Sequence, residues 1–172
     1  VAVDLGPMSI HHGQWAASLP KLQYLILAHT QVSDLSGIEN CKELVFLELD
    51  WSIVRDFTPL LGCTALEDLN IGKTFAPIDP ILEMKWLKHL WAIERSAETK
   101  MKLRETFGDT EALANGVQPE GEGDAQSQTD SENQTDNEAQ TIIYLNGAYP
   151  VGGIWRQLPN YDAMRDVLGM PY

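Results

Sequence analysis

Basic residues are scarce in this chain: 12 Lys and Arg stand against 25 Asp and Glu, a formal charge of −13 over 172 residues. Nucleic acid is therefore not the expected partner, because phosphate contacts require a basic face. No apolar run approaches the ~18–20 residues that a membrane-spanning helix needs. Cysteine occurs only twice, at Cys41 and Cys63, and the four histidines (His11, His12, His29 and His89) form neither a zinc spacing with them nor a His-Glu-x-x-His pair. A Gly-rich phosphate loop and a Gly-x-Ser-x-Gly elbow are both missing. Asp68 and His89 can share a proton, but no nucleophile accompanies them. These absences predict a protein without cofactor, metal or catalytic machinery.

What the chain has instead is a repeat. Leu19, Leu22, Leu25, Leu27, Val32, Leu35 and Ile38 mark one unit, and Cys41, Leu44, Leu47, Leu49, Val54, Phe57 and Leu60 mark the next, 22 residues later. Cys63, Leu66, Leu69 and Ile71 follow at the same interval, and Met84, Leu87 and Leu90 come one residue early. In Leu22-x-x-Leu25-x-Leu27 the last two leucines alternate as the inward positions of a short strand. The other half of each unit must turn back and close a second apolar row. One unit cannot bury its own leucines, so units must stack. Each leucine taken inside contributes roughly 1.5–3 kcal/mol of transfer free energy.

This pattern resembles the leucine-rich-repeat family in its 22-residue, bacterial, internalin-like form, over about residues 1–95. The resemblance implies an α/β leucine-rich-repeat solenoid: a right-handed coil of parallel strands with short helical or turn returns, closed by a C-terminal cap. It also implies export or display at the cell surface, although no signal is present in this chain. The family's Asn after the strand is Thr30, Ser52 and Thr74 here. A hydroxyl bonds a neighbouring backbone group but makes fewer bonds than an amide. Val3-x-Leu5 stands one period ahead of Leu25-x-Leu27, so the chain is expected to start within a repeat, as the C-terminal fragment of a longer protein. The first unit is irregular, with Gly13 in the place of Leu35 and Phe57, Met8 in the place of Thr30, and Trp15 near enough to fill the gap.

Cys41 and Cys63 hold the same place in consecutive units, one rung apart. A rung of ~4.8 Å lies within reach of a disulfide. The preferred reading is a core column of reduced thiols, because Leu19 and Met84 occupy the equivalent positions. Asp34, Thr58 with Pro59, and Asp79 with Pro80 read as helix N-caps of the returning halves.

The repeat dissolves after Trp91. Residues 96–107 predict a helix with Ser96 as N-cap and Gly108 as stop, its Ala97, Met101, Leu103 and Phe107 on one arc to cover the open end of the coil. Residues 110–114 are expected to add a strand, so that 96–114 form a capping element. Residues 115–140 turn polar and acidic: residues 108–140 carry nine acidic and no basic side chains, two-thirds of the formal charge. This segment is expected to be a disordered insert. It lacks the central Gly and terminal Glu of an EF-hand loop, and Asn133-Gln134-Thr135 matches a glycosylation sequon. Order is expected again over 141–172, as a strand at 142–145, a turn at Asn146-Gly147, and a helix from Tyr161 capped by Asn160. Trp155, Tyr161 and Arg165 resemble the closing segment of some bacterial surface leucine-rich-repeat proteins.

The outward strand positions form columns on the expected concave face. One runs Ala2, Tyr24, Phe46, Asp68, His89; the next Asp4, Ile26, Glu48, Asn70, Trp91; a third Gly6, Ala28, Asp50, Gly72, Ile93, with His29 and Trp51 just beyond. Tyr24, Phe46 and Trp91 are expected to face water among acidic Glu48, Asp50 and Asp68, a pattern that suits a protein or peptide partner. The competing reading is that Tyr24 and Phe46 stack only to pack along the sheet. The partner-binding set is Tyr24, Ile26, Phe46, Glu48, Asp50, Trp51, Asp68, Asn70, His89 and Trp91. A spacer or scaffold within a larger surface protein, and an intracellular regulatory subunit of the same repeat class, are the alternative functions.

Overall fold

The computed structural model describes residues 1–6, 9–110 and 140–146. Six strands of three residues each, β1 (Ala2–Asp4), β2 (Tyr24–Ile26), β3 (Phe46–Glu48), β4 (Asp68–Asn70), β5 (His89–Trp91) and β6 (Ile142–Tyr144), lie side by side in chain order. Every pairing is parallel, with Val3, Leu25, Leu47, Leu69, Leu90 and Ile143 in register across the sheet. Between β4 and β5 the interval falls from 22 to 21 residues, yet Leu69 still meets Leu90. The register is tightly fixed because a one-residue slip would turn the whole leucine column out of the core.

Opposite the sheet the chain returns through 3-10 turns at Gln14–Ser18, Ile38–Asn40 and Thr58–Gly62, and through the short helix α1 (Asp79–Glu83). Each return stacks on the next. Leucines from the strands and Leu35, Ile38, Leu60, Ile81 and Met84 from the returns meet in one continuous cluster. This is the α/β leucine-rich-repeat solenoid expected from the sequence. Cys41 and Cys63 lie buried within it as free thiols, donating to the carbonyls of Ala16 at 3.4 Å and Ile38 at 3.2 Å. Desolvation pushes both thiols up, Cys63 to about 12, so neither offers a thiolate near neutrality.

The returns begin differently from expectation. Pro59 and Pro80 do stand at helix starts, but the residues preceding the first turn are Gly37, Phe57 and Ile78, without side-chain caps. Asp34 instead accepts from Ser36 N and Oγ, and Asp56 accepts from Thr58 N and Oγ1. Both carboxylates close tight turns ahead of the helical segments, and these bonds hold them below the usual carboxylate range. The irregular first unit is absorbed by close backbone approach. Gly13 N donates to Asp34 O at 2.7 Å, and Trp15 packs part-buried against the core.

Helix α2 (Ala97–Phe107) opens on Ser96, whose hydroxyl accepts from Thr99 N, and ends at Gly108 with φ of 83°. Leu103 and Phe107 are buried, whereas Ala97 and Met101 face solvent, so the expected four-residue apolar arc is half as wide. Thr110 is not in a strand; its hydroxyl donates to Thr141 O and accepts from Ile143 N at 2.8 Å. It thereby ties the segment after α2 to β6. The strand at 142–144 does more than close the end: it is a sixth rung, with Leu90 facing Ile143 although they are 53 positions apart. Met8, residues 111–114, the acidic insert with its sequon, Gly147 of the Asn146-Gly147 turn, and the closing segment with Trp155, Asn160, Tyr161 and Arg165 lie outside the described residues.

Strands β2 to β5 are each followed by a left-handed residue at the same place: His29, Trp51, Lys73 and Glu94, with φ between 52° and 59°. The next position is the family's Asn site. Thr30 and Thr74 donate there to Leu27 O and Ile71 O, while Ser52 Oγ is buried without a partner among the described residues. In the following turn Arg95 takes this place and reaches back to Thr74 O, Thr74 Oγ1 and Ala76 O, pinning one rung to the last. An L-residue in the left-handed region costs roughly 1–2 kcal/mol, and a β-branched one suffers most. Glu94→Val should therefore be less stable than Glu94→Gly by about 1–2 kcal/mol in urea titrations, both variants having lost the Lys73 ion pair equally.

Candidate recognition face

The outward positions of the six strands form the columns read from the sequence, extended by one rung. Tyr24, Phe46, Asp68, His89 and Ile142 share one column, and Ile26, Glu48, Asn70, Trp91 and Tyr144 the next. Their exposure differs from expectation. Phe46 is fully buried and Trp91 is 4% exposed, so neither presents its ring to water. Ile26, Glu48, Asp50 and Asn70 are buried too. None of these residues belongs to the leucine cluster behind the sheet. Parallel rungs ~4.8 Å apart hold large side chains against one another, so an outward residue in mid-sheet is covered by its neighbours. Tyr24, Asp68 and His89 remain half-buried, and Trp51 is 52% exposed.

At the C-terminal end the face is aromatic. Trp91 and Tyr144 stack with centroids 4.8 Å apart and planes within 10°, and His89 lies 5.7 Å from Trp91 and 6.3 Å from Tyr144. His89 Nδ1 stands 2.5 Å from Asp68 Oδ1, which fixes the imidazole over this pair. Tyr144 is the residue that reading the chain missed, because the long insert hides its repeat position. The signal was nevertheless there: Ile142-Ile143-Tyr144-Leu145 matches His89-Leu90-Trp91-Ala92 position by position.

Where the strands end, a second row follows the left-handed residues. Trp51 stacks on His29 at 5.7 Å, Lys73 Nζ lies 4.3 Å over the Trp51 ring, and Lys73 also pairs with Glu94 at 3.1 Å. Trp51 is thus held on a rigid frame and left open on its free side.

Between these two groups lies a buried acidic pair. Glu48 and Asp50 are hydrogen-bonded to each other, and Asn70 Nδ2 donates to Glu48 Oε1 at 3.3 Å. Asn70 is itself fixed, its Oδ1 accepting from Gly72 N at 3.0 Å. Desolvation, then the charge of Asp50, pushes Glu48 up to about 8. Desolvation also raises Asp50, against the opposing charges of His29 and Lys73. Glu48 therefore carries the shared proton at neutrality and donates it to Asp50. This pair is part of the floor and not an acidic rim. Among the described residues no group of three His, Cys, Asp or Glu side chains is placed to hold a metal ion.

A carboxyl group whose folded-state value lies above its ordinary one favours the native state when protonated. Stability should therefore fall as pH rises from about 4.5, the ordinary value, to about 8. Urea unfolding at about pH 5 and about pH 8.5 should show this loss, and Glu48→Gln should flatten it. The depressed carboxylates Asp34 and Asp56 act in the opposite sense only below about pH 4.

No family model and no curated protein matches the chain. Solved structures do. The internalin InlF of Listeria monocytogenes is 25% identical over 50% of this chain and 26% of that one, with a TM-score of 0.47. Internalin C2 of the same organism is 20% identical over 81% of this chain and 59% of that one, with a TM-score of 0.51. The chain thus spans about a quarter and about three-fifths of the length of these two structures. The chain has the leucine-rich-repeat fold of the internalins.

Proposed function

We propose that this chain is a non-enzymatic recognition module that holds a protein partner on the outward, concave face of its strands. The observation that carries this reading is Trp51, a large apolar ring kept in water between His29 and Lys73 on a rigid ladder. Exposed aromatic groups on a preorganised surface are the usual anchors of protein interfaces. Tyr24, Asp68 and His89 would make further contacts from the accessible column, with Tyr144 beside them. Ile26, Phe46, Glu48, Asp50, Asn70 and Trp91 form the floor that sets the positions of the contacting groups. The reading includes a division of labour in which the repeat array over 1–95 recognises and the part from residue 96 onward closes it. It also includes export of the parent protein to the bacterial surface, which rests on the internalin resemblance alone.

The test separates anchors from floor. A photo-reactive side chain placed at 24, 51 or 89 should cross-link one protein of the organism's surroundings, and the same group at 39 or 61 on the returns should not. Trp51→Ala combined with Tyr24→Ala should weaken binding of that protein at least tenfold with little change in thermal unfolding. Phe46→Ala should instead cost about 3–5 kcal/mol of stability, as for other buried aromatic truncations. Cross-linking from the returns alone would sink the reading.

A further inference from the structure

The position after the family's Asn site is occupied in successive turns by Gln31, Ile53, Phe75 and Ser96. Gln31 and Ser96 show that the fold is content with a polar residue there. Ile53 is nevertheless 53% exposed and Phe75 88% exposed, the most open large apolar side chain among the described residues. Phe75 stands as a ridge between two clefts. One, of about 260 Å³, is lined by Ile53, Val54, Arg55, Ala76 and Pro77 together with Phe75 itself. The other, of about 340 Å³, lies toward Thr74, Arg95, Ser96 and Thr99. Both are smaller than or at the lower limit of pockets for small organic ligands, and suit single side chains.

The charge at this lip is opposite to that of the protein. Arg55 has no side-chain partner among the described residues, in a chain with 25 acidic and 12 basic side chains. Its neighbour Asp56 is committed to Thr58. Arg95 is committed to the carbonyls of Thr74 and Ala76, which stiffens the wall between the clefts. Glu94, at the edge of the second cleft, is neutralised by Lys73. The guanidinium beside the apolar ridge that makes no side-chain hydrogen bond among the described residues is that of Arg55, while Asp56 keeps its negative charge and turns one oxygen to Thr58.

We propose that Ile53, Phe75 and Arg55 form a second docking surface, distinct from the strand face, for an extended protein segment carrying a bulky apolar side chain next to a carboxylate. The apolar side chain would lie in the first cleft against Ile53 and Phe75, with the carboxylate on Arg55. A guanidinium pairs with a carboxylate through two parallel hydrogen bonds, which gives the contact direction as well as attraction. An extended segment places alternate side chains ~6.6–7 Å apart on one face, so a second side chain can follow into the cleft on the other side of Phe75.

The probes are two nine-residue synthetic peptides with the same central Leu-Ser-Phe, one flanked by Glu and the other by Lys. Titrated into the isotopically labelled full chain, the Glu peptide should bind at least tenfold more tightly, shifting amides at 53–55, 74–77 and 94–96. Phe75→Ser should abolish this binding, and Arg55→Glu should reverse the preference in favour of the Lys peptide. Both substitutions are at exposed side chains and should leave thermal unfolding unchanged. Equal affinity for the two peptides, binding of neither, or shifts centred on Tyr24 and His89 would overturn the proposal. So would self-association of the chain that Phe75→Ser removes, because the occupant would then be a second copy.

Discussion

No turn of this molecule can exist without the turns beside it. Each contributes three residues of strand and a return of a few residues, too little to bury its own leucines or to satisfy its own backbone. The rungs share both tasks. Leu27 N donates to Glu48 O, Leu49 N to Asn70 O, Ile71 N to Trp91 O and Ala92 N to Tyr144 O, at 2.8–2.9 Å. The left-handed residue that follows each of β2 to β5 then turns the chain out of the ladder at the same point. That repetition lines up His29, Trp51, Lys73 and Glu94 as a row, although nothing in their chemistry relates them otherwise.

The same spacing decides what the outward face can be. Side chains on neighbouring parallel strands stand closer together than the width of an aromatic ring with its hydration, so the middle of the face dries itself. Phe46 and Trp91 are lost from the surface in this way, and a carboxylic acid at position 48 becomes the neutral partner of Asp50. The face is consequently a rigid, largely dehydrated floor with open groups at its margins. Tyr24 lies toward one end, the His89–Tyr144 cluster toward the other, and Trp51 where the strands stop.

Periodicity revealed which residues share a column, and it revealed the columns correctly because burial of the leucines leaves one register to choose from. It could not reveal how far a column is covered, since coverage depends on the size of neighbours in three adjacent rungs. Phe46 shows this most plainly: its position was right and its exposure wrong. The helical returns lack the side-chain caps that the residue types suggest, for a related reason. Asp34 has the residue type of a cap, but the turn it closes precedes the helical segment, a distinction of two or three residues that pattern alone does not make. Tyr144 was hidden by sequence distance, whereas Ile53 and Phe75 were visible all along as a 22-residue pair outside the leucine columns.

The interruption between β5 and β6 has a bearing on how the molecule assembles. Rungs one to five close over 21 or 22 residues, but the sixth closes over 53, from Leu90 to Ile143. Chain entropy charges this detour less than about 1 kcal/mol, since closure depends on the logarithm of length. The kinetic consequence is larger. The first five rungs pair over short intervals, while β6 pairs with β5 over the longest one, so it is expected to be the last element to form and the first to open. Amide protons of Ile142 and Ala92 would thus exchange by local opening well before those of Leu27 and Leu49, and the aromatic end of the face would come and go with them.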